Sequence, residues 1–344
     1  MSKCDLQVVL DEPGRAFQVG DRITGHVEVA VNAACTCNGL SVTQRWRTHG
    51  RGNRAYGSGE TLTLFTGEWQ PGEVHSFPFE FQAPAGPLTY HGHYLNVDWY
   101  LEAQADIPWA LDPKAEVEYL LEIGDADPRD LHQLTVPITR GQRSGGPIFC
   151  MLLFFAPFIV FGTLAFVGGV GALLTGKGEG LFMIIWGSLF GGIPGLMALL
   201  MLRNTFAQRK LGQVQVSFEP NAVEPGESTR LYLAFQPKAE IQVNKITVTF
   251  KGQEVVVSGS GTNKTTHRHD LHEEAHELTG SCTLRRLEHA DFKLDLEVPK
   301  DAAPSFTASS NEVSWTCAVH VDIARWPDWS EDIPLVVVPA RGSA

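Results

Sequence analysis

Residues 147–174 read PIFCMLLFFAPFIVFGTLAFVGGVGALL, residues 175–180 read TGKGEG, and residues 181–202 read LFMIIWGSLFGGIPGLMALLML. Neither Ile148 to Leu174 nor Leu181 to Leu202 contains an acidic, basic or histidine side chain. Each run exceeds the roughly 20 apolar residues needed to cross a hydrocarbon core about 30 Å thick. The six-residue joint leaves no room for a folded unit. Residues 147–202 therefore predict a transmembrane helical hairpin, with spans at 148–174 and 181–202 and both flanks on one side of the bilayer.

The side follows from charge. Arg140 and Arg143 precede the hairpin, Arg203, Arg209 and Lys210 follow it, and its tip offers only Lys177. Lys and Arg accumulate on cytoplasmic flanks, so an integral protein of the cell or inner membrane with both flanks in the cytoplasm is expected. Pro157 and Pro194 lie inside the spans, where neighbouring helices tolerate a lost backbone bond. Gly187, Gly191 and Gly195 recur every fourth residue, and Ala165 and Gly169 share that spacing. Small residues so placed let helices approach closely, either within the hairpin or in a homodimer through Gly187, Gly191 and Gly195. The spans carry no ionisable group for conducting ions or protons, which argues against a channel or transporter.

Of 344 residues, each flank is the size of one ordinary domain. The net charge of −12 argues against a nucleic-acid partner, because phosphate binding wants a basic face. Cys4, Cys35, Cys37, Cys150, Cys282 and Cys317 form no regular framework and fit a reducing compartment. Cys35-Thr-Cys37 lacks the second pair that a zinc site needs. The N-terminus has no signal-peptide core, and Asn263-Lys-Thr265 would be an unused glycosylation sequon on the cytosolic side.

Both flanks alternate with period 2. Leu6–Leu10, Ile23–Val29, Leu40–Val42, Thr61–Phe65, Phe77–Phe81, Trp99–Ala105 and Val117–Glu122 read as strands separated by Gly, Pro and Asp turns. This predicts an all-β sandwich over 1–123, a linker at 124–146, a basic linker at 203–212 and a second sandwich over 213–340. The second flank repeats the first. Val19-Gly20-Asp21 with Ile23, Val27 and Val29 meets Pro225-Gly226-Glu227 with Thr229, Leu233 and Phe235. Phe77, Phe79, Phe81 and Pro84 meet Phe292, Leu294, Leu296 and Pro299, and Trp99, Asp106, Ile107 and Asp112 meet Trp315, Asp322, Ile323 and Asp328. Colinear self-similarity of this kind predicts two copies of one unit.

A Val-Gly-Asp or Pro-Gly-Glu turn, then Gly-x-Val-x-Val, Phe-x-Phe-x-x-Pro, a Trp-centred strand and Asp-x-Pro resemble the arrestin-like superfamily, with its sporulation-control and retromer-subunit branches. The resemblance implies tandem arrestin-like, immunoglobulin-like β-sandwiches that bind protein partners and carry neither catalytic residues nor a cofactor. The hairpin between the lobes departs from the soluble relatives and replaces their short hinge. Each lobe is therefore expected to stand or fall alone.

One stretch looks like chemistry. Residues 267–276 read HRHDLHEEAH, and His272-Glu273-Glu274-Ala275-His276 matches the H-E-x-x-H string, in which two histidines one helical turn apart hold zinc and the glutamate activates water. The string follows a Ser/Gly-rich turn, ends at Thr279-Gly280, and alternates as a strand would. A solvated hairpin is the reading preferred over a metal site formed by His272, Glu273 and His276. His91-Gly-His93 reads as a structural turn, and Arg45, Arg47, Arg51 and Arg54 as a solvated basic loop, with contact to anionic headgroups or an acidic partner as the alternative. The expected function is a membrane-anchored scaffold or adaptor whose partners are the lipid bilayer and one or more proteins. A zinc-dependent membrane hydrolase, or extracytoplasmic binding modules under inverted topology, are the alternatives.

Overall fold

The computed structural model describes residues 2–128, 131 and 145–341. Most of the expected linker at 124–146, with Arg140 and Arg143, lies outside these residues. The first flank forms β1 (Cys4–Leu10), β2 (Ala16–Gln18), β3 (Arg22–Val31), β4 (Cys35–Gly50), β5 (Tyr56–Trp69), β6 (Val74–Gln82), β7 (Tyr90–His91), β8 (Leu95–Asp106) and β9 (Lys114–Glu122). The second forms β10 (Gln215–Glu219), β11 (Ala222–Val223), β12 (Ser228–Phe235), β13 (Ile241–Ser258), β14 (Thr265–Thr279), β15 (Cys282–Leu284), β16 (Ala290–Glu297), β17 (Phe306–Ala308), β18 (Asn311–Ile323) and β19 (Trp329–Val337). Between them lie α1 (Gly145–Leu174), α2 (Glu179–Gly187), a π-turn at Ser188–Gly192, α3 (Ile193–Met201) and α4 (Arg203–Leu211).

Each flank is a β-sandwich. In the N-lobe the sheet β1-β3-β6 faces β2-β9-β8-β4-β5, with β7 added on β8. In the C-lobe β10-β12-β16 faces β11-β19-β18-β13-β14, with β17 on β18 and β15 on β13. The cores come from the inward half of each alternation, such as Ile23, Val27, Leu40, Val42 and Phe81 in one lobe and Leu231, Leu233, Val248, Phe250 and Val319 in the other.

Two local devices recur in both lobes. Gly20 and Gly226 sit at φ +85° and +81°, a conformation glycine takes without a Cβ penalty. The Gly20 N–H donates to Ala83 O and the Gly226 N–H to Val298 O, both at 3.0 Å. The next acidic side chain closes the turn: Asp21 accepts from Gln18 N at 3.0 Å and Glu227 from Glu224 N at 3.1 Å. The second device is a buried indole. Trp99 donates through Nε1 to Pro87 O at 2.6 Å, and Trp315 to Ala303 O at 2.8 Å.

The two apolar helical runs, Leu153–Leu174 and Glu179–Met201, are long and apolar enough to cross a membrane, and only about a tenth of their most apolar stretches is buried inside the protein. A core helix of a soluble protein would be mostly covered. Pro194 cannot donate to the preceding turn, and the π-turn at Ser188–Gly192 lies just before it. The helices cross on glycine. A Cβ at Gly187 would meet Phe166 N and Gly162 O, and one at Gly191 would meet Gly162, while Gly195 faces nothing within 4 Å. Two of the three glycines expected at a dimer face are thus used inside the hairpin. Gly169 against Gly180 forms the second crossing point.

Three expectations change. The stretch read as a basic linker at 203–212 is helix α4, because Ala207 and Leu211, four apart and on one helical face, are both fully buried in the C-lobe core. Arg45 and Arg47 lie on β4 instead of a loop, since Gln44, Trp46 and Thr48 alternate with them toward the interior. The lobes are not independent units. They pack end to end through a built junction.

Candidate functional site

The junction begins with strand length. β13 runs past Gly252 toward the other lobe, and its next inward side chain is Glu254, fully buried. An unpaired buried carboxylate would be costly, so its partners matter. Glu254 accepts from the Tyr90 hydroxyl at 2.5 Å, from His93 N at 3.0 Å and from Tyr94 N at 2.7 Å, all in the N-lobe. Gly92, between these donors, has no room for a Cβ against the Glu254 carboxylate. Burial, and then the hydrogen bond to Glu254, push the Tyr90 phenol far above its usual range.

A second polar knot sits across the junction. Asn311, at the start of β18, reaches Thr48 Oγ1 at 3.1 Å and Asn53 O at 2.7 Å. Asn53 in turn accepts from Gly259 N at 3.1 Å and donates to Gly259 O at 2.8 Å. Between the knots Leu95 and Val97 of β8 close on Val256 and Val313, with Trp46 edge-on to Phe306 at 6.2 Å. Histidines line the rim. His93 stacks on His269 at 4.2 Å, and the buried Asp98 holds His91 Nε2 at 2.6 Å and His49 Nδ1 at 3.1 Å. A cavity of about 270 Å³ opens there, lined by Tyr90, His91, His93, Glu254 and Trp315 among others.

The H-E-x-x-H string lies on β14, the edge strand of its sheet. Four residues along a strand span about 13 Å, against about 6 Å for one helical turn, so the spacing that pairs two zinc ligands on a helix is not formed. His272 lies opposite Gly252 and His276 opposite Val248, both on the inward face. Glu274 stands between them, 3.7 Å from His272 Nε2 and 3.4 Å from His276 Nε2. Glu273 faces out and pairs with Lys251 Nζ at 2.9 Å. Among the described residues no group of three His, Cys, Asp or Glu side chains converges as metal ligands. The His272 ring packs 5.3 Å from Phe250. Polar groups turned inward on an edge strand blunt it against pairing with another chain.

The other singled-out residues lie in the N-lobe. Burial pushes the Cys35 and Cys37 thiols up, away from the thiolate that binds metal or attacks carbon. Arg45 pairs with Glu102 at 3.3 Å, and Arg47 forks onto Glu116 at 2.8 and 3.0 Å over the Tyr100 ring. Arg51 lies 5.0 Å from the Tyr94 ring centroid. The geometry packs the two sandwiches end to end through Glu254 and Asn311. Sequence reasoning missed the junction, and the one available signal was a charged residue, Glu254, at an inward position of a strand.

No protein-family model matches the chain. It is similar to the ATP-dependent lipid A-core flippases of Vibrio vulnificus strains YJ016 and CMCP6, at 28% identity over 130 residues, 38% of this chain. The chain spans 21% of the length of those relatives. Among solved structures it is similar to Spo0M, a sporulation control protein from Bacillus subtilis, at 13% identity and TM-score 0.31, covering 79% of this chain and 91% of that one.

Proposed function

We propose that the chain is an integral membrane scaffold or adaptor with two cytoplasmic, arrestin-like sandwiches derived from one duplicated unit, which it presents to protein partners. The observation that carries this reading is mechanical. Met201 ends the second span, α4 begins at Arg203, and α4 is buried in the C-lobe, which is locked to the N-lobe through Glu254 and Asn311. A body so fastened holds a fixed attitude to the bilayer, as a docking platform requires. The recurring Gly turn and Trp strand support the duplication. The partial similarity to flippases fits a membrane setting and transfers no transport activity.

Reporter fusions test the topology. Fusions at Ala344 should report cytoplasm and fusions in the 175–180 tip the exterior, and an externally active reporter at Ala344 would overturn the assignment. Affinity capture from detergent tests the role. A partner should be recovered with the full chain and lost when the lobes are removed and the hairpin kept. Recovery by the hairpin alone would move the function into the spans.

A further inference from the structure

We infer that the membrane-facing end of the C-lobe is a binding surface for the phosphate of an anionic phospholipid headgroup; this rests on the membrane reading of the hairpin. α4 leaves the second span after one residue and lies on the end of the C-lobe where β12 stops, β13 and β16 start, and β18 turns into β19. Its contacts fix that placement. Trp326 Nε1 donates to Phe206 O at 3.0 Å, and Arg203 donates to Ser330 Oγ at 2.7 Å. Beyond the end of α4, Lys238 N donates to Lys210 O at 2.7 Å, and Leu287 N donates to Pro237 O while Gln236 donates to Leu287 O, both at 2.8 Å. One knot of chain thus gathers Arg203, Arg209, Lys210, Lys238, Arg285 and Arg286.

Those six cations share one feature besides their place. On the sheet faces Arg45, Arg47, Arg230 and Lys251 are each spent on a carboxylate. Among the described residues, none of the six at this end makes an ion pair. Arg209 and Lys210 lie over aromatic rings, at 5.1 Å from Phe206 and 4.2 Å from Trp326. Lys238, Arg285 and Arg286 are exposed. Glu288 accepts from the Arg285 backbone N–H at 3.1 Å and leaves its guanidinium open. Other cations are unpaired too, Lys245, Arg268 and Lys293 among them, but here six are gathered on one knot of chain, and that gathering points to an anion from outside it.

Placement selects lipid as its source. Nine helical residues rise about 13 Å, so the whole knot stays close to the bilayer surface, where anionic leaflets attract Lys and Arg within about a Debye length. A cleft of about 460 Å³ opens there, with Lys238, His289, Gln213 and Gln236 on its walls. Arginine offers a planar fork for phosphate oxygens and lysine a point charge.

The test is native mass spectrometry of the full chain in detergent, titrated with phosphatidylglycerol or phosphatidylcholine, beside the charge-reversed variant Lys238→Glu/Arg285→Glu/Arg286→Glu. Wild type should retain phosphatidylglycerol in preference to phosphatidylcholine, and the variant should lose roughly tenfold or more of that preference with an unchanged thermal melt. Neutral replacements, Lys238→Gln/Arg285→Gln/Arg286→Gln, should give an intermediate loss, which keeps the test open if the reversed variant fails to fold. Equal retention of both lipids by wild type, or full preference in a folded variant, would overturn the inference. Displacement of the lipid by inorganic phosphate alone would also overturn it, by making the ligand a soluble anion. Carbonate extraction of the membranes separates this from the anchoring itself: a wild-type chain that washes off refutes the hairpin, and one that stays but shows no lipid preference refutes only the headgroup surface.

Discussion

The same turn is built twice in this molecule and meets different surroundings. After β8 the chain turns through Ile107–Asp112, and after β18 through Ile323–Asp328. Asp112 accepts from Ile107 N at 3.3 Å and Asp328 from Ile323 N at 3.1 Å, and the turn passes through positive φ at Trp109 (61°) and Arg325 (57°). In the C-lobe the next residue, Trp326, is covered by α4 with Lys210 above its ring. In the N-lobe the equivalent residue, Ala110, packs on the lobe's own core, and its neighbours Trp109 and Leu111 stand in solvent, 105% and 93% exposed. A carboxylate and five residues fix the backbone of the turn. What it touches is decided by the element attached beside it.

The comparison breaks most visibly at the indoles beneath. Trp99 and Trp315 are 1% and 2% exposed on equivalent strands. Trp→Ala at either should cost about 3–5 kcal/mol, read by chemical denaturation in detergent micelles. A loss below about 1 kcal/mol at one site alone would end the equivalence of the two strands. Because Glu254 and Asn311 bind the lobes together, a severe loss in one should also loosen the junction of the other.

The turn itself gives a smaller, asymmetric effect. Trp326→Ala removes a hydrogen bond to Phe206 O and a cation–π contact, together about 1–2 kcal/mol. Trp109→Ala removes nothing packed and should stay within about 0.5 kcal/mol. Equal losses at both would mean that Trp109 is covered in the protein as isolated.

The smallest effect near neutral pH is alkaline. Burial pushes the Cys4 thiol in one lobe and the Cys317 thiol in the other up to about 12, from an ordinary 9.0. Their native form is the protonated one, so that stability is complete below 9.0 and is lost as pH rises toward about 12. Melting temperature should fall over that window, and Cys4→Ala/Cys317→Ala should flatten the fall. An unchanged slope in the double variant would show that the thiols are not its source.

These outcomes bear on what the amino-acid string discloses. The hairpin was legible because a charge-free run longer than a bilayer is thick has few other uses. The sandwiches were legible because one buried face forces period 2. Helix α4 was hidden behind its cations, although Ala207 and Leu211 carried the helical spacing. The crossing glycines were half found: Gly187 was singled out, but Gly162 and Gly180 sit at seven-residue spacings that a search for four-residue steps passes over. The junction was not legible. Two of the three donors to Glu254 are backbone N–H groups, which have no letter, and Tyr94 is separated from Glu254 by 160 residues. Gly252 and Gln253 of β13 face His272 and Asp270 of β14, which leaves Leu271 as an extra residue, so alternation followed from Thr265 does not by itself say which histidines of the string face inward.

Placing the hairpin between the lobes also sets a timetable for synthesis. The N-lobe is complete before the first span leaves the ribosome, yet its junction face cannot close until Glu254 has been made. At about 5–20 residues per second, the 160 residues from Tyr94 to Glu254 take roughly 8–30 s. For that interval Leu95, Val97 and the N–H groups of His93 and Tyr94 stay open to water while the hairpin inserts. The nascent chain is therefore a membrane-tethered half-molecule with an adhesive end, and the C-lobe acts on arrival as its cap.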